Sequence, residues 1–258
     1  MILVLAGTRD GRELAHGLSV VGHKVLLSVV SDYARVLVSE ASLEVRVGAL
    51  DKEGMIRLLQ EAKIKMVVDA SHPYAVEASL NALGACATVG KPYVRYERPR
   101  TEAAPSKRII RALSVEEAAR AAAGAGKTVF LTTGSRSLAI FKNEPLLATH
   151  RLIARVLPEP NIVEQCRRIG FLPRDIVALE GPFTHELNKA LFAHYRADVI
   201  VTKDSGETGG ADTKLSAAEE LGIKAVMIER PVLPYGTVLN SPNAVEEFVN
   251  EMSGLRRD

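Results

Sequence analysis

Short aliphatic runs alternate with helical patterns along this 258-residue chain, and that order leaves few folds open. A strand, a helix and a further strand in succession pair the strands in parallel through a right-handed crossover. In the first half the expected strands are Ile2–Ala6, Lys24–Val30, Glu44–Gly48, Met66–Ala70 and Tyr93–Tyr96. Helices are expected between them at Arg9–Val21, Asp32–Val38, Asp51–Ala62 and Ala75–Val89. Asp51 reads as an N-cap, and Gly22 and Gly90 as helix stops. The run Pro99–Lys107 breaks the pattern and reads as a linker. Beyond it, strands are expected at Arg108–Ala112, Thr128–Thr132, Leu152–Val156, Ile176–Leu179, Val199–Thr202 and Ala225–Ile228. The matching helices are Val115–Ala123, Arg136–Phe141, Asn161–Ile169, His185–His194, Asp212–Leu221 and Asn243–Met252, followed by a loose tail at Gly254–Asp258.

The expected fold is therefore α/β, two Rossmann-like, doubly wound parallel-sheet domains, at residues 1–99 and 100–258. Apolar residues make up 47% of the chain, aromatics only 5%, and Trp is absent. A core of Val, Leu, Ile and Ala suits parallel strands buried on both faces. Ligands are expected at the carboxyl ends of the strands and in the cleft between domains.

Charge narrows the function classes. Lys plus Arg (33) nearly balances Asp plus Glu (31), so no nucleic-acid partner is expected. Arg95, Arg98, Arg100, Lys107, Arg108 and Arg111 nevertheless crowd one stretch, either as a solvated linker or as a binding patch. Cys86 and Cys166 lie far apart in no metal-type spacing, which predicts reduced thiols and no metal site. No run reaches the ~20 apolar residues of a membrane span, and the first six apolar residues lead straight into Gly-Thr-Arg-Asp. A cytoplasmic protein without a membrane partner is the expectation.

Chemistry is sought in the loops after the strands. Gly7 and Gly11 flank the turn from the first strand into a helix starting near Arg9. That arrangement either holds a pyrophosphate on the helix N–H groups or is a plain βα turn. Its spacing is G-x-x-x-G, and Glu13 stands where a third glycine would be expected. After the second strand, Ser31-Asp32-Tyr33-Ala34-Arg35 lies where a dinucleotide fold reads the ribose. Asp32 there favours NAD or caps the next helix, whereas Arg35 favours the phosphate of NADP. After the fourth strand, Ser71-His72-Pro73-Tyr74 gathers a hydroxyl, an imidazole and a phenol where a nicotinamide ring would lie. The alternative there is a capped helix with Pro73 in its first turn and a buried histidine. In the second half, Thr132-Thr133-Gly134-Ser135-Arg136-Ser137 makes another anion site at a helix start. The stretch from Thr202 to Lys214 carries hydroxyls, glycines and lysines, at an entropic cost that ligand contact would explain. Leu157-Pro158-Glu159-Pro160 and Glu180-Gly181-Pro182-Phe183-Thr184 either shape the same mouth or are ordinary turns.

In order, the segments Gly7–Ala15, Asp69–Ala75, Tyr93–Pro99, Thr132–Ser135, Gly181–Phe183 and Thr202–Gly210 form a series. It resembles the precorrin-6A reductase family of cobalamin biosynthesis, including its cobalt-precorrin-6A branch, over residues 2–231. The resemblance implies NAD(P)H-dependent reduction of one carbon–carbon double bond of a polycarboxylate tetrapyrrole held between two domains. It implies NADPH, or NADH, on Gly7, Thr8, Arg9, Asp10, Gly11, Ser31, Arg35, Ser71, His72 and Pro73. The substrate would meet Tyr74, Arg95, Arg98, Thr133, Ser135, Arg136, Lys203, Asp204, Ser205, Gly209 and Gly210, and the product would pass to the next pathway enzyme. The resemblance further implies hydride transfer followed by protonation from His72, Tyr74 or water, and no Tyr-x-x-x-Lys pair is present to supply the proton. Two other readings stay open: a methyltransferase using S-adenosylmethionine, favoured only by Asp32, and a non-catalytic two-domain anion binder.

Overall fold

In the computed structural model, residues 1–38, 43–99, 107–206 and 209–254 are described. Two compact units emerge, residues 1–99 with 231–258, and residues 100–230.

The first unit begins with β1 (Ile2–Ala6), α1 (Arg9–Val20), β2 (Val25–Val29), α2 (Asp32–Val36) and β3 (Glu44–Val47). It continues with α3 (Lys52–Glu61), β4 (Met66–Ala70), α4 (Val76–Val89) and β5 (Tyr93–Tyr96). Every residue of β1, β2 and β4 is buried. Unbroken aliphatic runs produce this because helices cover both faces of a parallel sheet. On one face Ile2, Val4 and Leu27 pack with Leu14 and Leu18 of α1. On the other, Leu3, Leu5 and Val67 pack with Met55 and Leu59 of α3.

The second unit holds β6 (Ile109–Ala112), α5 (Val115–Ala125), β7 (Thr128–Leu131), α6 (Leu138–Asn143) and β8 (Arg151–Val156). α7 (Pro160–Arg168), β9 (Ile176–Ala178), α8 (His185–His194), β10 (Val199–Lys203), α9 (Ala211–Glu220) and β11 (Lys224–Ile228) complete it. The expected helix Arg136–Phe141 is split, with Ser135–Ser137 forming a 3₁₀ turn ahead of α6. Residues 100–106, in the expected linker, lie outside the described residues, as do Glu207, Thr208 and the tail beyond Gly254.

The chain then returns to the first unit with β12 (Val238–Leu239) and α10 (Pro242–Ser253). β12 pairs in parallel with β5, Val238 opposite Arg95 and Leu239 opposite Tyr96. Val245 and Val249 of α10 are fully buried in the core shared with Ile2 and Leu27. The expected second domain, 100–258, is corrected accordingly: residues 231–258 belong with 1–99. The apolar face of α10 is buried in the first sheet's core, and the edge of β5 supplies the backbone partners of β12.

The two six-stranded sheets have orders β12-β5-β4-β1-β2-β3 and β6-β11-β10-β7-β8-β9. In each the order reverses beside the first strand of a βαβαβ run, between β1 and β4 and between β7 and β10. A crevice at the carboxyl ends of the strands opens at such a reversal. Both reversal points carry loops expected from the sequence to bind ligands.

Candidate active site

At the first reversal point, Thr8 caps α1, its Oγ1 accepting the Gly11 N–H at 3.4 Å. Gly11 lies inside the helix, where a Cβ would stand 2.8 Å from the Ala70 carbonyl oxygen of β4. It is the helix–strand packing glycine, the task of the third glycine in a dinucleotide fingerprint. The expected vacancy at Glu13 is thereby corrected. Gly7 is exposed, and a Cβ there would meet nothing within 4 Å. The opening for a ligand is at Gly7, and the tight fit is at Gly11. Arg9 lies on the exposed side of α1 and pairs with Glu13 at 2.7 Å. Asp10, in the first turn, pairs with Arg98 at 3.1 Å, while its Oδ1 is buried with no hydrogen-bond partner. Arg98, expected to meet substrate, is thus buried against the α1 start.

After β2, the cap of α2 is Ser31, whose Oγ accepts the Ala34 N–H at 3.1 Å. Asp32 is therefore not the cap. Ser31, Asp32 and Arg35 are all exposed.

After β4, residues 71–75 form a turn, and α4 starts only at Val76 with Ala75 as its cap. Pro73 thus precedes the helix and does not occupy its first turn. The His72 Nδ1 accepts the Tyr74 N–H at 3.3 Å, and the two rings lie 5.6 Å apart. With Nδ1 accepting, the proton of a neutral ring belongs to Nε2. Ser71, His72 and Tyr74 are each partly exposed.

Beneath this turn lies a charge pair that the sequence reading assigned differently. Arg95, expected to hold a substrate carboxylate, is fully buried, and its Nη1 donates to Asp69 Oδ1 at 3.0 Å. The same nitrogen reaches the Asp69 carbonyl at 3.3 Å and the Ser71 Oγ at 3.2 Å. Asp69 also accepts from Ser79 Oγ at 2.6 Å, Tyr93 OH at 2.7 Å and the Ser71 N–H at 3.0 Å. Asp69 stands opposite Arg95 in the β4–β5 register, which fixes the pairing. Burial and Asp69 push the Tyr93 phenol far up, so it remains a donor. Burial, with Asp69, pushes the Cys86 thiol up to about 12, and it is inert at neutral pH. Arg95 therefore fixes the Ser71 turn and has no surface to offer a ligand.

At the second reversal point, the Lys203 Nζ donates to the Thr133 carbonyl at 2.7 Å, bringing the β7 and β10 loops together. Thr133 is buried and accepts from Ser137 Oγ at 2.8 Å; Ser135 is half-buried and Arg136 exposed. Burial, reinforced by Arg136, lowers the pKa of Lys203. Asp204, expected to bind substrate, is buried against Arg230, which donates from Nε to its carbonyl at 2.9 Å and approaches Oδ1 at 3.6 Å. Its task is to tie the β10 loop to the end of β11. Ser205 is buried with its Oγ unpartnered, and Gly209 and Gly210 are half-buried. Gly210 caps α9 at φ +64°, a conformation that favours glycine.

Two buried cations lie here, Lys214 at the end of the stretch expected to contact ligand and Arg155, which went unassigned from the sequence. Arg155 of β8 donates from Nη1 to Asn188 Oδ1 at 2.7 Å, under the Phe183 ring at 3.9 Å. Lys214 of α9 donates to the Gly209 carbonyl at 2.8 Å. A lone charged residue within an aliphatic run, as in Leu152–Val156, was the available signal for Arg155. Among the described residues there is no cluster that could hold a metal ion, and no helix long and apolar enough to cross a membrane.

The model of a family described as precorrin-6x reductase CbiJ/CobK matches residues 1–252. The chain belongs to this family. A cobalt-precorrin-6A reductase of Priestia megaterium is 42% identical over 253 residues, covering 97% of this chain and 99% of that protein. One from Salmonella typhimurium LT2 is 37% identical over 231 residues, covering 89% and 87%. A solved structure of CobK precorrin-6A reductase superposes with a TM-score of 0.80 at 28% identity, covering 97% of this chain and 96% of its own. That match spans both parallel-sheet units. Membership in a reductase family sets aside the methyltransferase and the non-catalytic readings.

Proposed function

We propose that this protein reduces one carbon–carbon double bond of (cobalt-)precorrin-6A to (cobalt-)precorrin-6B in cobalamin biosynthesis, with NADPH as reductant. The observation that carries the reading is the first reversal point. There an open Gly7 turn, a capped helix start and a polar turn leave adjacent parallel strands of a reductase-family chain.

The residues present fit a dinucleotide. Gly7 leaves room for close backbone approach, the α1 N-terminus favours an anion, and the unpartnered Asp10 Oδ1 can accept a hydrogen bond from a hydroxyl. Ser31 and Arg35 are exposed where the ribose end would lie, and Arg35 suits the extra phosphate of NADPH. Held at Gly7 and the α1 start, a reduced nicotinamide would supply the hydride for one macrocycle carbon. The neighbouring carbon takes a proton. The His72 Nε2–H and the Tyr74 hydroxyl are the candidate donors, alongside water. Arg95 and Asp69 hold the Ser71–Tyr74 turn in place from beneath. In the second unit, Lys203, Arg136 and the hydroxyls of Ser135 and Ser205 suit the carboxylates of the tetrapyrrole.

The test is nicotinamide oxidation by the purified protein with precorrin-6A and its cobalt form, using NADPH and NADH in turn. We expect oxidation of NADPH matched by loss of one double bond, and a loss of affinity for NADPH but not NADH in Arg35→Ala. A protein that binds neither nicotinamide would refute the reading.

A further inference from the structure

We propose that Arg155, Lys214 and the N-terminus of α9 form an anion site in the second unit that takes one carboxylate side chain of the tetrapyrrole. The inference rests on the reductase reading above and extends it to Arg155, inside a strand, and to the α9 start that Lys214 caps from within.

Arg155 stands one residue from the end of β8 and is 5% exposed. Its partner is a neutral amide, the Asn188 side chain, which is itself fixed by donating to the Thr184 carbonyl at 3.0 Å and Thr213 Oγ1 at 3.2 Å. Lys214 is the fourth residue of α9 and 7% exposed. Helical side chains lean toward the N-terminus of their helix, and its ammonium accordingly reaches back to the Gly209 carbonyl. That places a cation at the positive end of the helix dipole, the unfavourable end for it. Among the described residues, the charges facing Lys214 are Arg155 on β8, Lys203 on β10 and the exposed Asp212 on α9 itself. The two buried cations, Arg155 and Lys214, thus outweigh one exposed carboxylate, and burying them without an anion is costly.

A separate observation marks a ligand position. The Ser205 Oγ is buried with no hydrogen-bond partner and abuts Gly209, where a Cβ would stand 2.2 Å from it. A donor hydroxyl without a partner beside a helix start, with an ammonium and a guanidinium, lacks only an acceptor bearing negative charge. The guanidinium fork matches a carboxylate in two parallel hydrogen bonds. Burial, with Arg155, lowers the pKa of Lys214 to about 7. Anion binding then favours the charged amine, so the site takes up a proton as it fills.

The experiment titrates the full-length protein with propionate, phosphate and chloride at constant ionic strength, read by thermal shift. It is run at about pH 6 and about pH 8.5, on either side of the Lys214 titration. We expect propionate to bind wild-type protein about tenfold more weakly at the higher pH. Lys214→Met and Arg155→Gln should each weaken it about ten- to a hundredfold. Lys214→Arg should bind propionate with a flat pH profile, and it carries the test if the Met variant does not fold. Equal propionate affinity in wild-type protein and Lys214→Met would overturn the site, as would binding of phosphate but not propionate. NADPH fluorescence is read in parallel; no NADPH binding in any variant would indict the reductase reading and leave the anion site standing.

Discussion

The two reversal points share a strand order and differ in how they handle charge. Among the described residues of the first unit, each buried charge has a counter-charge: Asp69 holds Arg95, and Asp10 holds Arg98. What remains open to a ligand there is backbone, a helix start, hydroxyls, the His72 ring and the exposed Arg35. In the second unit Asp204 is spent on Arg230, while Lys214 and Arg155 donate to neutral oxygens. A neutralised crevice suits a ligand gripped through backbone dipoles, such as a pyrophosphate. A crevice with surplus buried cations suits one that brings several carboxylates. On the proposed function, one topology serves two ligands through a difference in charge balance.

The largest test of that contrast removes the counter-charge in the first unit. Asp69→Ala leaves the Arg95 guanidinium buried and uncompensated, and should cost about 3–5 kcal/mol in urea unfolding. A double change, Asp69→Leu with Arg95→Met, should cost much less, because no buried charge is stranded. Equal losses for both would mean that the pair is not held as a unit. The Ser71–Tyr74 turn should loosen in Asp69→Ala, read as faster amide exchange there, while the second unit is unchanged.

The second unit should answer through pH. Lys214 falls from 10.5 to about 7 on folding, so between those values the unfolded chain holds a proton that the folded one has released. Stability therefore rises with pH across that window and is lost as pH falls toward about 7, by a few kcal/mol in all. Lys214→Met should flatten the rise, and propionate should oppose it by favouring the charged amine. A slope identical in wild type and Lys214→Met would erase the contrast between the units.

Much of this was legible in the sequence, and what was missed has identifiable causes. β1 and β4 run as expected because parallel strands buried on both faces need uninterrupted apolar side chains. β12 went unseen because two residues, Val238 and Leu239, carry no periodicity and pair with a strand far back in the chain. Gly7, Ser71 and Lys203 lie at reversal points as their positions after strands suggested. Arg95 and Asp204 were misread because residue type does not reveal which way a side chain faces. A sharper rule would have separated them: a lone charge inside an aliphatic strand run, such as Asp69, Arg95 or Arg155, must find a buried partner or a ligand.

Smaller effects distinguish the glycines of the first turn. Gly11→Val presses into the Ala70 carbonyl of β4 and should destabilise the first unit by about 1–3 kcal/mol. The shift of α1 should weaken NADPH binding as a consequence of lost packing. Gly7→Ala meets nothing within 4 Å, so stability should hold within about 0.5 kcal/mol. NADPH affinity should nevertheless fall about tenfold, because the methyl occupies the ligand's approach. Should Gly7→Ala leave affinity untouched, the pyrophosphate does not lie over that turn.

A last contrast concerns the two helix starts. α1 is capped by the Thr8 hydroxyl, whereas α9 begins at Gly210 with no side-chain cap. Thr8→Ala should cost about 1 kcal/mol through the lost cap. Gly210→Ala should cost about as much through the left-handed backbone, about 1–2 kcal/mol for a residue with a Cβ. The ligands should separate the two variants. Thr8→Ala frees the Gly11 N–H and should alter NADPH binding without touching propionate. Gly210→Ala should alter propionate binding without touching NADPH. A crossed result, with either ligand responding to the other unit's helix start, would break the division of labour between the two crevices.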